Sequence, residues 1–137
     1  LETSAVHNMV QVAETMDSCI ELGLSFSLDD FGTGYSSLTY FRKLPTKMIK
    51  IYQSFVRDML EDADDLAIIK GVVELTKAFQ RTVIAEGVET IEHGTALLKL
   101  GCDLAQGDGI AKPMTASDVP VWVGEWKPDD AWLVLST

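Results

Sequence analysis

The chain has 137 residues, 47% of them apolar, and a formal net charge of −10. That length allows one domain with a buried core, and the acidity argues against a general binder of nucleic-acid polymers or anionic membranes. No stretch is apolar for long enough to cross a bilayer, and the two cysteines give neither a disulfide framework nor a metal-ligand spacing. Cys19 and Cys102 are expected as buried free thiols, which suits a reducing cytoplasm. The chain opens on Leu1-Glu2-Thr3 without an initiator Met or a signal peptide, which reads as a start inside a longer protein.

Val6, Met9, Val10, Ala13, Met16 and Ile20 recur at helical spacing. Thr3 or Ser4 suits the cap of that helix, and Gly23 its end. A strand is expected over 24–29, closed by Asp29 and Asp30. Leu38-Thr39-Tyr40-Phe41 predicts a short helical turn before Leu44-Pro45. A second strand is expected over 47–51. The acidic run Asp62 to Asp65 complements a helix dipole and marks a helix start rather than a metal site. That helix is predicted to run to about Phe79, with Leu66, Ile69, Val72, Val73 and Phe79 on one side. Thr82 to Ala85 is a third strand, followed by Glu86-Gly87-Val88-Glu89. Thr90 caps a helix through about Leu100, stopped by Gly101. Leu104-Ala105-Gln106 is the last short strand. Trp122, Trp126 and Trp132 follow Pro120 and are expected to dock a final helix on the outside of the domain.

Alternating helices and strands predict right-handed βαβ units and a parallel sheet. Polar residues gather at the strand ends: Asp29 and Asp30, Lys50, Glu86, Gln106. Such a gathering belongs to the mouth of a (β/α)8 barrel or of a doubly wound sheet. No dinucleotide fingerprint or Walker A sequence supports the second. A closed barrel takes about 250 residues, so four strands correspond to about half of one.

Neighbouring carboxylates repel unless a cation lies between them, and a hard divalent metal is the usual partner of such oxygens. Asp29 and Asp30 before a glycine-rich turn therefore suggest a metal site, set against the plainer reading of an acidic turn capping a surface loop. Lys50 reads either as a solvated lysine or as one that faces two carboxylates and polarises a metal-bound water. Glu86 and Glu89 are within reach of a metal or its water, set against the plainer reading of a surface loop. Gln106 reads as a buried amide in a turn. His7 and His93 are expected on the surface and do not form a catalytic pair. No nucleophile elbow is present, so activated water is the better class of mechanism.

The ordered set Asp29-Asp30-Phe31-Gly32-Thr33-Gly34-Tyr35-Ser36-Ser37, Leu44-Pro45, Lys50-Ile51, Ser54-Phe55-Val56, Ala85-Glu86-Gly87-Val88-Glu89-Thr90, Leu100-Gly101-Cys102, Gln106-Gly107 and Lys112-Pro113 resembles the C-terminal half of an EAL domain. That family comprises the cyclic-di-GMP phosphodiesterases of bacterial signalling proteins. The resemblance runs to about Pro113, and the Trp-containing tail from about 114 lies beyond it. It implies a TIM-type barrel with one strand reversed. It also implies hydrolysis of cyclic di-GMP to linear pGpG with two Mg²⁺ or Mn²⁺ ions. By position, Asp29 resembles the carboxylate bridging the metals, and Asp30 its neighbour on the second. Lys50 resembles the lysine that contacts the attacking water. Glu86 resembles the glutamate supporting the second metal through water, and Gln106 the glutamine beside that water. Glu89 resembles a supporting glutamate of the same loop. Glu2 resembles the glutamate anchoring the loop of Phe31, Gly32, Thr33, Gly34, Tyr35, Ser36 and Ser37, which in the family shapes both site and dimer contact. A homo-oligomer and a sensor or diguanylate-cyclase-like companion domain are implied as well.

Three departures accompany the resemblance. The Glu-Ala-Leu segment that names the family, and the metal ligands around it, are not in these residues, so this chain on its own is expected to be inactive. Tyr52 stands where the family usually has Asp, and a phenol carries no charge near neutral pH. Asp108 stands where an aromatic residue is usual. A cyclic-di-GMP receptor or dimerisation module without catalysis is the alternative these two substitutions favour. A metal-dependent lyase with a base lysine is a more distant one.

Overall fold

The computed structural model describes residues 2–33 and 37–134, with side chains for 8–33 and 38–134. Helix α1 (Glu2–Glu21) ends as expected at Gly23, whose N–H donates to Ile20 O at 2.9 Å. None of its described side chains is buried; Met9, Ala13, Met16 and Ile20 are half-buried and Val10 is exposed. Strand β1 (Ser27–Phe31) begins three residues later than the apolar run suggests. Leu24 is 56% exposed, because the ladder starts where Ser27 finds Met48. The two aspartates therefore lie inside the strand rather than closing it. Helix α2 (Ser37–Lys43) and strand β2 (Met48–Ile51) follow.

Next comes helix α3 (Gln53–Asp58), which the sequence reading left out. Its signal was present in Phe55, Val56 and Met59, an i, i+1, i+4 apolar set, but six residues are too few to stand out. Helix α4 (Ala63–Ala78) runs where the acidic start and Phe79 place it. Ile69, Val72 and Val73 face the core, while Leu66 and Phe79 are 37% and 48% exposed at its ends. Strand β3 (Thr82–Glu86), helix α5 (Ile91–Leu100) and strand β4 (Ala105–Gln106) complete the repeated pattern. Helices α6 (Val119–Glu125) and α7 (Asp130–Leu133) form the tail.

The four strands are parallel and bonded in the order β1-β2-β3-β4. Sequential order is the winding of a barrel wall; a doubly wound sheet reverses at a switch point. Burial alternates along β2 and β3 as the pleat requires. Ile49, Ile51, Val83 and Ala85 are buried in one core with Val56, Ile69, Val73 and Leu97 from α3, α4 and α5. Met48, Lys50, Ile84 and Glu86 point the other way and are half-buried.

At the N-terminal end of the strands Arg81 ties the connections together. Its guanidinium donates to Phe41 O, to Leu44 O at 3.3 Å and to Thr46 Oγ1 at 3.1 Å, and lies 4.3 Å from the Phe41 ring centroid. The carbonyls ahead of Pro45 are thus satisfied by one side chain.

Candidate metal site

The ladder between β1 and β2 slips by one residue. Leu28 pairs with Ile49 and Phe31 with Ile51, so Asp29 and Asp30 together oppose Lys50. This is a β-bulge, and a bulge re-aims side chains. Asp30 takes a left-handed φ of 50°, which Asp tolerates better than most residues. Its N–H donates to Asp29 Oδ1 at 2.9 Å, and its carbonyl accepts from Thr33 Oγ1 at 2.8 Å. In a regular strand consecutive carboxylates would point to opposite faces. Here Asp29, Asp30 and Glu86 each place an oxygen within 4.8 Å of the others.

Lys50 sits against this group. Its Nζ lies 3.2 Å from Asp29 Oδ1 and 2.5 Å from Glu86 Oε1. The lysine thus faces two carboxylates, those of Asp29 and Glu86. The hydrogen bond to Glu86 raises the Lys50 pKa above the ordinary lysine value despite desolvation, with Asp29 adding to it. Lys50 is a fixed cation and donor. For Asp29, burial pushes upward, but the bonds from Lys50 and the Asp30 N–H outweigh it and hold the carboxyl below its usual range.

Glu86 pairs with Gln106 across β3 and β4. A cleft of about 470 Å³ opens above these strand ends, lined by Asp29, Asp30, Tyr52, Gln53, Glu86, Gly87, Glu89, Gln106, Gly107 and Asp108. Carboxylates dominate it, so the cleft favours cations. Its donor set is all oxygen, which fits Mg²⁺ or Mn²⁺ rather than a soft metal.

Of the residues singled out from the sequence, Asp29, Asp30, Glu86, Glu89 and Gln106 line this one cleft, with Lys50 bonded beneath it. Gln106 is exposed at a strand end rather than a buried amide in a turn. Phe31 points into the core at 4% exposure and packs edge-on against Phe41. Gly32 and Thr33 are exposed beside the cleft. Gly34, Tyr35 and Ser36 lie outside the described residues, as do the side chains of Glu2, His7 and Ser37.

His93 is buried rather than on the surface, with 6% exposure. It is drawn in because the first turn of α5 meets the end of α3, where Nε2 lies 3.2 Å from Arg57 O. Cys102 is buried as expected, but Cys19 is half-exposed on α1. Gln53 is the cleft residue the sequence reading did not single out; it enters with the overlooked helix α3.

The EAL domain profile matches residues 1–113. The chain belongs to the EAL domain family. Among curated EAL relatives, the bifunctional diguanylate cyclase/cyclic di-GMP phosphodiesterase MucR of Pseudomonas aeruginosa is 36% identical over 118 residues, 86% of this chain and 17% of MucR. The crystal structure of the EAL domain of Mycobacterium smegmatis DcpA superposes with a TM-score of 0.81 at 35% identity, covering 85% of this chain and 52% of that one. The PaMucR phosphodiesterase in complex with c-di-GMP gives a TM-score of 0.73 at 36% identity, covering 84% and 45%. This chain therefore spans about half of the solved EAL chains and a smaller share of the curated relative. The α/β fold is of the TIM-barrel type found in those EAL structures.

Proposed function

We propose that the domain to which this chain contributes hydrolyses cyclic di-GMP to linear pGpG, using two Mg²⁺ or Mn²⁺ ions. The observation that carries this reading is the bulge that turns Asp29 and Asp30 together towards Glu86, over the Lys50 ammonium. It occurs in an EAL-family chain with relatives named as cyclic di-GMP phosphodiesterases. Asp29, Asp30 and Glu86 would hold the cations, which supply Lewis-acid stabilisation of phosphate charge when bound. Lys50, kept charged by its two carboxylate neighbours, donates to the attacking water and holds it in line. Gln106, at the end of the adjacent strand, gives that water a second polar partner. The water oxygen adds to phosphorus, one P–O ester bond breaks, and the product keeps a terminal phosphate and a free hydroxyl. Cationic partners in the cleft offset the repulsion between its carboxylates and a dianionic ligand.

The wider setting belongs to the same proposal: a bacterial signalling protein working in the cytoplasm, self-associating, and joined to a sensor or diguanylate-cyclase-like domain. Residues 1–137 taken alone are proposed to give no turnover, since they span about half of the solved EAL chains. One observation favours a second reading. Tyr52 lines the same cleft as Asp30 and Glu86 and offers a phenol rather than a carboxylate, which suits a receptor that binds without cleaving.

The test is full-length protein incubated with cyclic di-GMP and Mg²⁺ or Mn²⁺, with products separated by chromatography. Cation-dependent pGpG formation that disappears in Asp29→Asn is expected. Binding without turnover would replace the enzyme with the receptor, and Tyr52→Asp is then the variant expected to gain activity. No response to cyclic di-GMP at all would end both readings.

A further inference from the structure

Helix α3 packs against the two loops that follow the carboxylate-bearing strands β1 and β3. On one side Phe55 meets Gly32, the residue after β1. A methyl group at Gly32 would lie 2.6 Å from Phe55 Cε2. On the other side Gln53 meets Gly87, the residue after β3. A methyl group there would lie 2.8 Å from Gln53 Cβ and 3.4 Å from its Cα. Both glycines have positive φ, 103° and 76°, so each combines a turn that glycine permits with an approach that any side chain would block. The backbone after Asp30 and the backbone after Glu86 thus rest directly on one short helix. That helix cannot recede, because Val56 and, one residue past its end, Met59 are 0% and 1% exposed in the core. Tyr52 braces Phe55 edge-on from the cleft side, with centroids 6.1 Å apart.

We propose that α3 is a spacer: Phe55 against Gly32 and Gln53 against Gly87 set the separation between the Asp29–Asp30 bulge and Glu86, and with it the geometry of the cation site. Phe55 and Gln53 are positioning residues in this account; they act through the loops. Lys50 joins the same carboxylates, but its flexible stem follows them rather than fixing them. A small hard cation demands near-ideal ligand placement, so loss of the spacer shows in cation affinity before it shows in folding. This inference rests on the reading that the cluster binds a divalent cation.

The experiment is Mn²⁺ binding by the full-length protein, read from the electron paramagnetic resonance of free Mn²⁺, with folding followed by circular dichroism and denaturant melts. Phe55→Ala is expected to weaken Mn²⁺ binding about tenfold, as supporting residues commonly do, and Phe55→Leu to recover most of that loss. Ile69→Val, in the core on α4, is expected to lower the denaturant midpoint while leaving Mn²⁺ affinity nearly unchanged. Should Phe55→Ala fail to fold, the exposed Gln53 provides an independent pair. Gln53→Gly, which removes the Cβ that lies against Gly87, is expected to bind several-fold more weakly than Gln53→Ala, which keeps it. Folded Phe55→Ala with wild-type affinity overturns the spacer, as does Ile69→Val weakening binding equally, or Gln53→Gly matching Gln53→Ala. Full-length wild-type protein that takes up no Mn²⁺ overturns the cation reading itself, and the spacer with it.

Discussion

Asp30 carries a conflict between backbone and function. A left-handed φ on a residue other than glycine costs roughly 1–2 kcal/mol, and its carboxylate is held beside those of Asp29 and Glu86. Asn tolerates the same φ without the charge. Asp30→Asn is therefore expected to melt at or slightly above the wild-type temperature while losing at least about tenfold in Mn²⁺ affinity; a calorimetric scan and the binding measurement check the two halves. Cys102 shows the opposite case, a group with no evident chemistry. Burial pushes its thiol up to about 11 from an ordinary 9.0. The unfolded thiol releases its proton first, so the folded state loses stability as pH rises from about 9 to about 11. Denaturant melts across that range should show the decline, and Cys102→Ala should lessen it. Under native conditions at pH 8, an alkylating reagent is expected to label half-exposed Cys19 well before Cys102.

Helices with caps were easy to read, because capping is local chemistry. Asp62 accepts from Asp64 N–H at 2.8 Å and Asp65 N–H at 3.4 Å, as its place before an acidic first turn implies. Thr90 Oγ1 accepts from His93 N–H at 3.3 Å, and Gly101 closes α5 in the left-handed conformation. Asp62→Ala should cost about 1 kcal/mol in denaturant unfolding, with no change in Mn²⁺ affinity, since α4 does not reach the cleft. The tail is anchored by Trp132, whose Nε1 donates to Ile91 O at 3.0 Å, with the indole over Gly94 of α5. That bears out the expected docking of the final helix on an outer one. Trp122 and Trp126 instead pack on each other at 5.7 Å. The start of β1 and the burial of His93 were not legible, because each depends on a neighbour distant in sequence: Met48 and Arg57.

Strand order gives the molecule its character. Among the described residues β1 and β4 each have one bonded strand neighbour, and the sheet face bearing Met48, Lys50 and Ile84 is half-exposed. Unpaired edges recruit other strands, so the chain is expected to self-associate; light scattering that shows a monodisperse monomer both at high dilution and at working concentration would refute this. The same winding brings four strand ends to one rim, so residues as far apart in sequence as Asp29 and Gln106 share a cleft. The sequence was sufficient for the parallel α/β class, the capped helices and the identity of the polar strand ends. Helical periodicity, capping and strand-terminal polarity are written within a few residues of one another. Tertiary structure alone decided that Asp29 and Asp30 face one way, that Lys50 bridges Asp29 to Glu86, and that α3 packs against both loops. A bulge is a property of the pairing between two strands, an ion pair depends on register, and a close approach needs both surfaces in place.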